Sequence, residues 1–216
     1  MSRELEGIRV ACLATNGVEE VELDEPMKAF EAFGATVELL APEAGRIQAL
    51  RYFEKGRTFE VDRTIEAADP SEYDALFLPG GTMNADALRR SPDAVEFVRD
   101  FFDDQRPVAA ICHGPWILVD ANVLAGRTLT SWPSLRPDLQ NAGGRWVDEE
   151  VHVSGNLVTS RKPADLPPFI AAAVDAFASL PAAGHAREIY RAAHGADRVE
   201  EASRESFPAS DAPSSW

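Results

Sequence analysis

Residues 107–118 of this chain read Pro-Val-Ala-Ala-Ile-Cys-His-Gly-Pro-Trp-Ile-Leu. A short apolar run of small and β-branched residues is the pattern of a buried strand, and Pro115 suits the first turn of a following helix. Between strand and helix stand a nucleophile-type residue, Cys112, and a glycine two positions on, Gly114. A strand that enters a helix through so tight a turn is a nucleophile elbow, here with Ala110 in place of the usual first glycine. Small residues at −2 and +2 are needed because the backbone approaches itself there. A strand end feeding a helix belongs to a layered α/β fold with a parallel sheet. The elbow would lift the Cys112 sulfur to the edge of that sheet and aim it at a helix N-terminus, whose partial positive charge favours a thiolate.

The rest of the pattern agrees. Residues 8–14 form an apolar strand, broken at Thr15-Asn16-Gly17. Val21, Leu23, Met27, Phe30 and Phe33 then recur at helical spacing, Gly34 stops the helix, and residues 36–41 read as a second strand. Residues 42–72 are less regular, with short strands at 50–53 and 58–61 suggesting a hairpin. A buried strand over 73–78 ends at Pro79-Gly80-Gly81, and a helix follows over 92–102. Later come an extended piece at 128–130, a polar helix at 137–141, strands at 145–147, 150–153 and 157–160, and an amphipathic helix from about 165 to 180. The expected architecture is flavodoxin-like: a doubly wound, mostly parallel sheet with helices on both faces and ligands at the C-terminal strand ends. Residues 1–180 make one α/β domain. Residues 181–216, rich in Ala, Ser, Pro and charge, read as a C-terminal extension, partly helical near 188–193 or mobile.

Composition removes several function classes. The formal net charge of −15 repels phosphate backbones and anionic membranes, so no nucleic-acid or membrane partner is expected. No apolar run is long enough to span a bilayer, and residues 1–6 have no apolar signal core, so a cytoplasmic protein is expected. The two cysteines lie far apart, with no CxxC and no Cys/His cluster at zinc spacing. Cys12, mid-strand among apolar neighbours, reads as core.

Two more segments fall at the same sheet edge as the elbow. The N–H groups of Gly80 and Gly81, with that of His113, would form an oxyanion hole. The acidic run over 18–23 supplies a carboxylate that in its protonated form donates to a thiolate and in its ionised form raises the thiol pKa. The helix dipole accounts for Glu20 and Glu22 but need not account for Glu19. Adjacent side chains project differently, so His113 need not touch Cys112.

These segments together resemble the PfpI branch of the ThiJ/PfpI superfamily, whose fold is that of class I glutamine amidotransferases. The similar stretches are 18–23, 73–81, 107–118, 129–133, 141–161 and 163–166. By that resemblance Cys112 is the reactive cysteine, His113 the histidine that follows it, and Glu19 the buried acid at the sulfur. Asp86, across a one-residue gap, falls where some members place an acid that reaches the histidine of a neighbouring subunit. Trp132 stands in the pocket where related members often carry Tyr. The resemblance further implies a homodimer or larger homo-oligomer, no metal and no organic cofactor. The activities it implies are cysteine peptidase, glutathione-independent glyoxalase, protein deglycase, chaperone and oxidation-sensing stress protein.

An amidotransferase triad would need a downstream His and Glu two apart; His185 and Glu188 are three apart, in the extension. The favoured reading is an enzyme in which Cys112 attacks a small aldehyde such as methylglyoxal, or a glycated protein adduct, with Glu19 or His113 moving protons to give lactate. Alternatives are attack on a peptide carbonyl with His113 as base, a sensor whose Cys112 oxidises without turnover, and a holdase role independent of Cys112.

Overall fold

The computed structural model describes residues 4–179. The extension over 181–216 and its expected helix near 188–193 lie outside the described residues. Strand β1 (Arg9–Leu13) leads through a loop into helix α1 (Glu20–Ala32), then β2 (Thr36–Ala41). A hairpin follows, β3 (Arg46–Arg51) and β4 (Glu54–Glu60), then the short β5 (Arg63–Thr64). Next come β6 (Ala75–Leu78), α2 (Thr82–Arg89), α3 (Pro92–Asp103) and β7 (Val108–Ile111). The chain continues through α4 (Ile117–Asp120), β8 (Thr128–Leu129), α5 (Arg136–Asn141) and β9 (Arg145–Trp146). It closes with β10 (Val151–Ser154), β11 (Leu157–Ser160) and α6 (Leu166–Ala178).

The central sheet has the order β10-β11-β7-β6-β1-β2-β5, parallel throughout except for the antiparallel edge strand β10. This is the expected doubly wound arrangement. Alternation along each strand divides the core in two. Val10 and Cys12, Ala75 and Phe77, and Ala109 and Ile111 face Leu23 and Phe30 of α1 and Phe169 and Phe177 of α6. Ala11 and Leu13, Leu76 and Leu78, and Val108 and Ala110 face Phe97, Val98 and Phe101 of α3 and Ile117 of α4. Every residue of β6, β7 and β11 is buried, as a strand covered on both faces requires. The sheet winds outward in both directions from β1, so the crevice between the ends of β1 and β6 is its switch point.

Three details differ from the sequence reading. Helix α2 was not expected: its eight residues are short, and it starts from Gly81, whose side chain offers no cap. The hairpin begins at Arg46, earlier than the apolar pattern suggests, because β3 and β4 form a two-stranded sheet of their own and most of β4 is exposed. Strand β9 pairs with β8 in a separate two-stranded piece outside the main sheet.

The hairpin is fastened to α1 by a buried carboxylate. Glu20 Oε1 accepts from Arg51 Nη2 at 2.8 Å and Arg57 Nε at 3.2 Å, while its Oε2 accepts from the Arg57 N–H at 2.5 Å. The Arg51 hydrogen bond, followed by the Arg57 backbone bond, lowers the Glu20 pKa to about 2. A depressed carboxylate pKa stabilises the fold above its unfolded value and loses that contribution as pH falls toward the folded one. Glu20→Gln is expected to cost about 1–3 kcal/mol at neutral pH, measured by thermal or denaturant unfolding. The deficit should shrink below pH 4.5 as pH approaches about 2; a deficit constant over that range would refute the ion-pair account.

Candidate active site

The end of β7 shows why the elbow needs its small neighbours. Cys112 has φ +60°, a left-handed conformation that a non-glycine residue adopts only when held. Its N–H donates to Ser160 O at 3.0 Å, and its carbonyl accepts from the Trp132 N–H at 2.8 Å. At Gly114 a Cβ would lie 2.3 Å from the Leu78 carbonyl oxygen, so no side chain fits there.

The sulfur is buried: Cys112 is 7% exposed. The N–H groups of Gly81 and His113 face it and favour its anion. His113 Nδ1 stands 3.3 Å from Sγ. The positive-φ turn brings the next residue's ring back over the sulfur, so His113 does touch Cys112, contrary to the expectation from adjacent projection.

The acid at the sulfur is Glu22, not Glu19. The Glu22 carboxyl is fully buried, and the groups facing it are the Cys112 sulfhydryl and the Gly80 N–H. A Cβ on Gly80 would sit 2.1 Å from Glu22 Oε2 and 2.6 Å from Cys112 Cβ, so the bare glycine is what lets carboxyl and thiol share one space. Helical phase explains the exchange of roles. Glu19 occupies the N-cap position with extended backbone, φ −70° and ψ 118°, before the helical turn begins. Its Oε2 accepts from the Tyr52 N–H at the hairpin tip, 3.1 Å away. Glu22 lies in the first turn and shares the buried stripe of Leu23, Pro26 and Phe30. That stripe was visible in the spacing and could have identified it; attributing Glu22 to the helix dipole hid the signal.

Neither Glu22 oxygen has a well-aligned hydrogen-bond partner among the described residues. Burial, reinforced by the nearby Glu19 charge, raises its pKa to about 8, so it carries its proton at neutral pH. Burial first, and then charge on Glu22, pushes the Cys112 thiol up as well. Burial thus opposes the thiolate that the facing N–H groups favour. The two groups titrate as a pair. A protonated Glu22 removes the repulsion and donates to a forming thiolate; an ionised Glu22 keeps the sulfur protonated. Burial lowers the His113 pKa to about 4, so its imidazole is neutral at pH 7.

The other expected residues divide. The Gly81 N–H faces the sulfur, whereas the Gly80 N–H faces Glu22. The Trp132 ring, 38% exposed, stacks on the His113 ring with centroids 5.9 Å apart and planes 25° from parallel. Asp86 is exposed on α2, while the outer nitrogen of His113 meets Thr82 of the same helix, with Nε2 to Oγ1 at 3.2 Å. Cys12 is fully buried; burial and then the Asp62 charge raise its pKa well above the ordinary value. A residue without any sequence signal is the buried Asn84. Its Nδ2 donates to Pro79 O at 3.1 Å and Gly80 O at 3.0 Å, and its Oδ1 accepts from the Thr15 N–H at 2.7 Å. It ties the ends of β1 and β6 together. Among the described residues no group of three or more His, Cys, Asp or Glu is placed to hold a metal ion, and no helix is long and apolar enough to cross a membrane.

Comparison with known proteins agrees with this fold. The DJ-1/PfpI family model matches residues 8–176. The chain is 42% identical over 159 residues to the Deglycase PfpI of Pyrococcus furiosus, covering 74% of this chain and 93% of that one. It is 39% identical over 164 residues to General stress protein 18 of Bacillus subtilis, covering 76% and 94%. Among solved structures, a two-domain protein from Anabaena variabilis with DJ-1/ThiJ/PfpI-like and ferritin-like domains superposes with a TM-score of 0.75 at 33% identity. That match covers 82% of this chain and 51% of the other.

A raised carboxyl pKa has a signed consequence. Glu22 contributes its full stability below the unfolded value of 4.5 and loses it as pH rises through about 8. Glu22→Gln should therefore gain stability relative to wild type as pH rises through that window, measured by thermal unfolding. The same substitution should remove the break near pH 8 in the rate of Cys112 alkylation; an unchanged break would assign it to another group.

Proposed function

Because the chain belongs to the DJ-1/PfpI family, we propose that it is a cysteine-dependent enzyme acting on reactive aldehydes or glycated adducts, of glyoxalase or deglycase type. The observation that carries this reading is the thiol of Cys112, 7% exposed, enclosed with a protonated carboxyl and a neutral imidazole. An enclosed thiol suits a small electrophile better than a folded polypeptide, and the three groups are those that aldehyde isomerisation needs.

With methylglyoxal the steps balance. Sγ bonds to the aldehyde carbon, the thiol proton passes to His113 Nδ1, and the aldehyde oxygen takes the Glu22 proton, giving a hemithioacetal. Glu22, now a carboxylate with basicity suited to neutral pH, removes the proton from that carbon while the neighbouring carbonyl oxygen takes the proton from His113. The resulting enediol receives the Glu22 proton at its second carbon and returns a hydroxyl proton to His113, which leaves a lactoyl thioester. Water then cleaves the thioester; Glu22 takes a water proton, the leaving sulfur takes the His113 proton, and lactate departs. With a glycated amine, Sγ would displace the amine from the carbinolamine carbon, the amine would leave with the thiol proton by way of His113, and the hemithioacetal so formed would isomerise and hydrolyse as above.

A second reading uses the same pair. A sulfur oxidised to the sulfinate would be held by the Glu22 hydroxyl and by the N–H groups of Gly81 and His113. We further propose a homo-oligomer, supported by the family resemblance and by the position of Asp86 on the exposed surface of α2, and a cytoplasmic location.

The test is lactate release from methylglyoxal without glutathione, by clean, reduced protein. Cys112→Ala and Glu22→Gln should each reduce turnover by about 100-fold or more, while Glu19→Gln should retain most of it. No turnover by wild type, with a sulfinate at Cys112 after mild peroxide, would replace the enzyme by the sensor.

A further inference from the structure

We infer that the C-terminal extension docks on its own domain, with residues 186–193 seated in the groove between α6 and the β10–β11 turn. The groove holds about 620 Å³, and Pro107 and Asn156, which immediately precede β7 and β11, help to line it. It therefore opens at the N-terminal ends of the strands, opposite the edge that carries Cys112, and the inference is independent of the chemistry there. Helix α6 directs its large side chains, Phe169, Val174 and Phe177, into the core. That leaves Ala172 and Ala176, one turn apart, on the groove wall, and Val153 and Gly155 line it as well. Val153, on the edge strand β10, is 55% exposed, so a covering side chain would remove apolar surface from water. Walls of alanine and glycine let a second helix approach closely and leave room for its larger side chains.

The chain itself supplies the occupant. Ser179 lines the groove, and residues 180–216 follow it. Ala186, Ile189, Tyr190 and Ala193 stand at the spacing i, i+3, i+4, i+7 of an amphipathic helix. Before them, Pro181 is a helix stop and Gly184 permits a reversal, the pattern of a helix hairpin. The linking residues 180–185 can extend to about 20 Å. Helix α6 rises only about 10 Å from Ala172 to Ser179, so the segment can run back along the groove. So short a tether gives an effective concentration on the order of millimolar, which favours this chain's own segment over that of a second copy. Charge agrees. Among the described residues Asp175 is the one charged residue of the lining, it makes no ion pair, and the last turn of α6 holds no basic residue. The helix C-terminus adds its own partial negative charge. Residues 186–193 carry Arg187 and Arg191 against a single acid, Glu188, in a chain whose formal net charge is −15. A basic, apolar-striped segment thus leaves the domain beside an acidic, apolar-walled groove.

The test uses the full chain. After correction for intrinsic rates, amide hydrogen exchange should be about tenfold slower over residues 186–193 than over 205–216. Ala176→Arg, which fills the groove and repels Arg187 and Arg191, should abolish that difference and leave exchange in β6 and β7 unchanged. With benzoylphenylalanine in place of Tyr190, irradiation should join position 190 to residues 153–156 or 172–179, in a product of monomer mass on a denaturing gel. Equal exchange over 186–193 and 205–216 in wild type overturns the inference. So does protection that persists in a folded Ala176→Arg, because the segment would then be held elsewhere. An absence of cross-links to those residues, or cross-links only between copies, overturns it even if Ala176→Arg fails to fold; the latter result would assign the groove to the extension of a neighbouring copy.

Discussion

A fully buried carboxyl group lies beneath Gly80, against the Cys112 sulfur, and the ends of three strands are arranged around it. Burying that group is costly unless it is neutral, so the fold holds Glu22 as an acid rather than a carboxylate. The cost is tolerated because neighbouring parts over-determine the geometry. Ser160 and Trp132 hold the Cys112 backbone from two sides, Asn84 ties the Pro79–Gly80 turn to the loop after β1, and Gly114 closes directly on Leu78. A side chain at Gly80 or Gly114 would break this arrangement before any chemistry was affected.

The same burial governs all three reactive groups, but in different directions. It raises the pKa of the acid and of the thiol and lowers that of the imidazole, so each group is driven toward its neutral form. A proton that moves among them therefore creates charge in a buried site. The N–H groups of Gly81 and His113 then supply the fixed dipoles that favour negative charge on sulfur once a proton moves.

Much of this was legible in the chain. The apolar strands ending at Ala14, Leu78 and Ile111, and the glycines after two of them, were sufficient to place three loops on one edge of a parallel sheet. The periodicity of Leu23, Phe30 and Phe33 identified α1. What failed was assignment within a loop. Glu19, Glu20 and Glu22 are chemically alike and close in sequence, yet one accepts from the hairpin tip, one pairs with two arginines, and one lies under Gly80. Their separation depends on where the first helical turn begins, and a boundary displaced by one residue turns a side chain by about 100°. Thr82 and Asn84 carried no signal because α2 is too short to show a period.

The sequence by itself determined the class of fold and the switch-point location of the Cys112-His113-Gly114 turn, because strand alternation and that turn are local properties of the backbone. Only the tertiary structure decided which acid meets the sulfur, which way the His113 ring lies and what protonation states they hold. Those depend on groups 30 to 90 positions apart, such as Glu22 with Cys112 and Thr82 with His113, and on exclusion of water that no single segment produces alone.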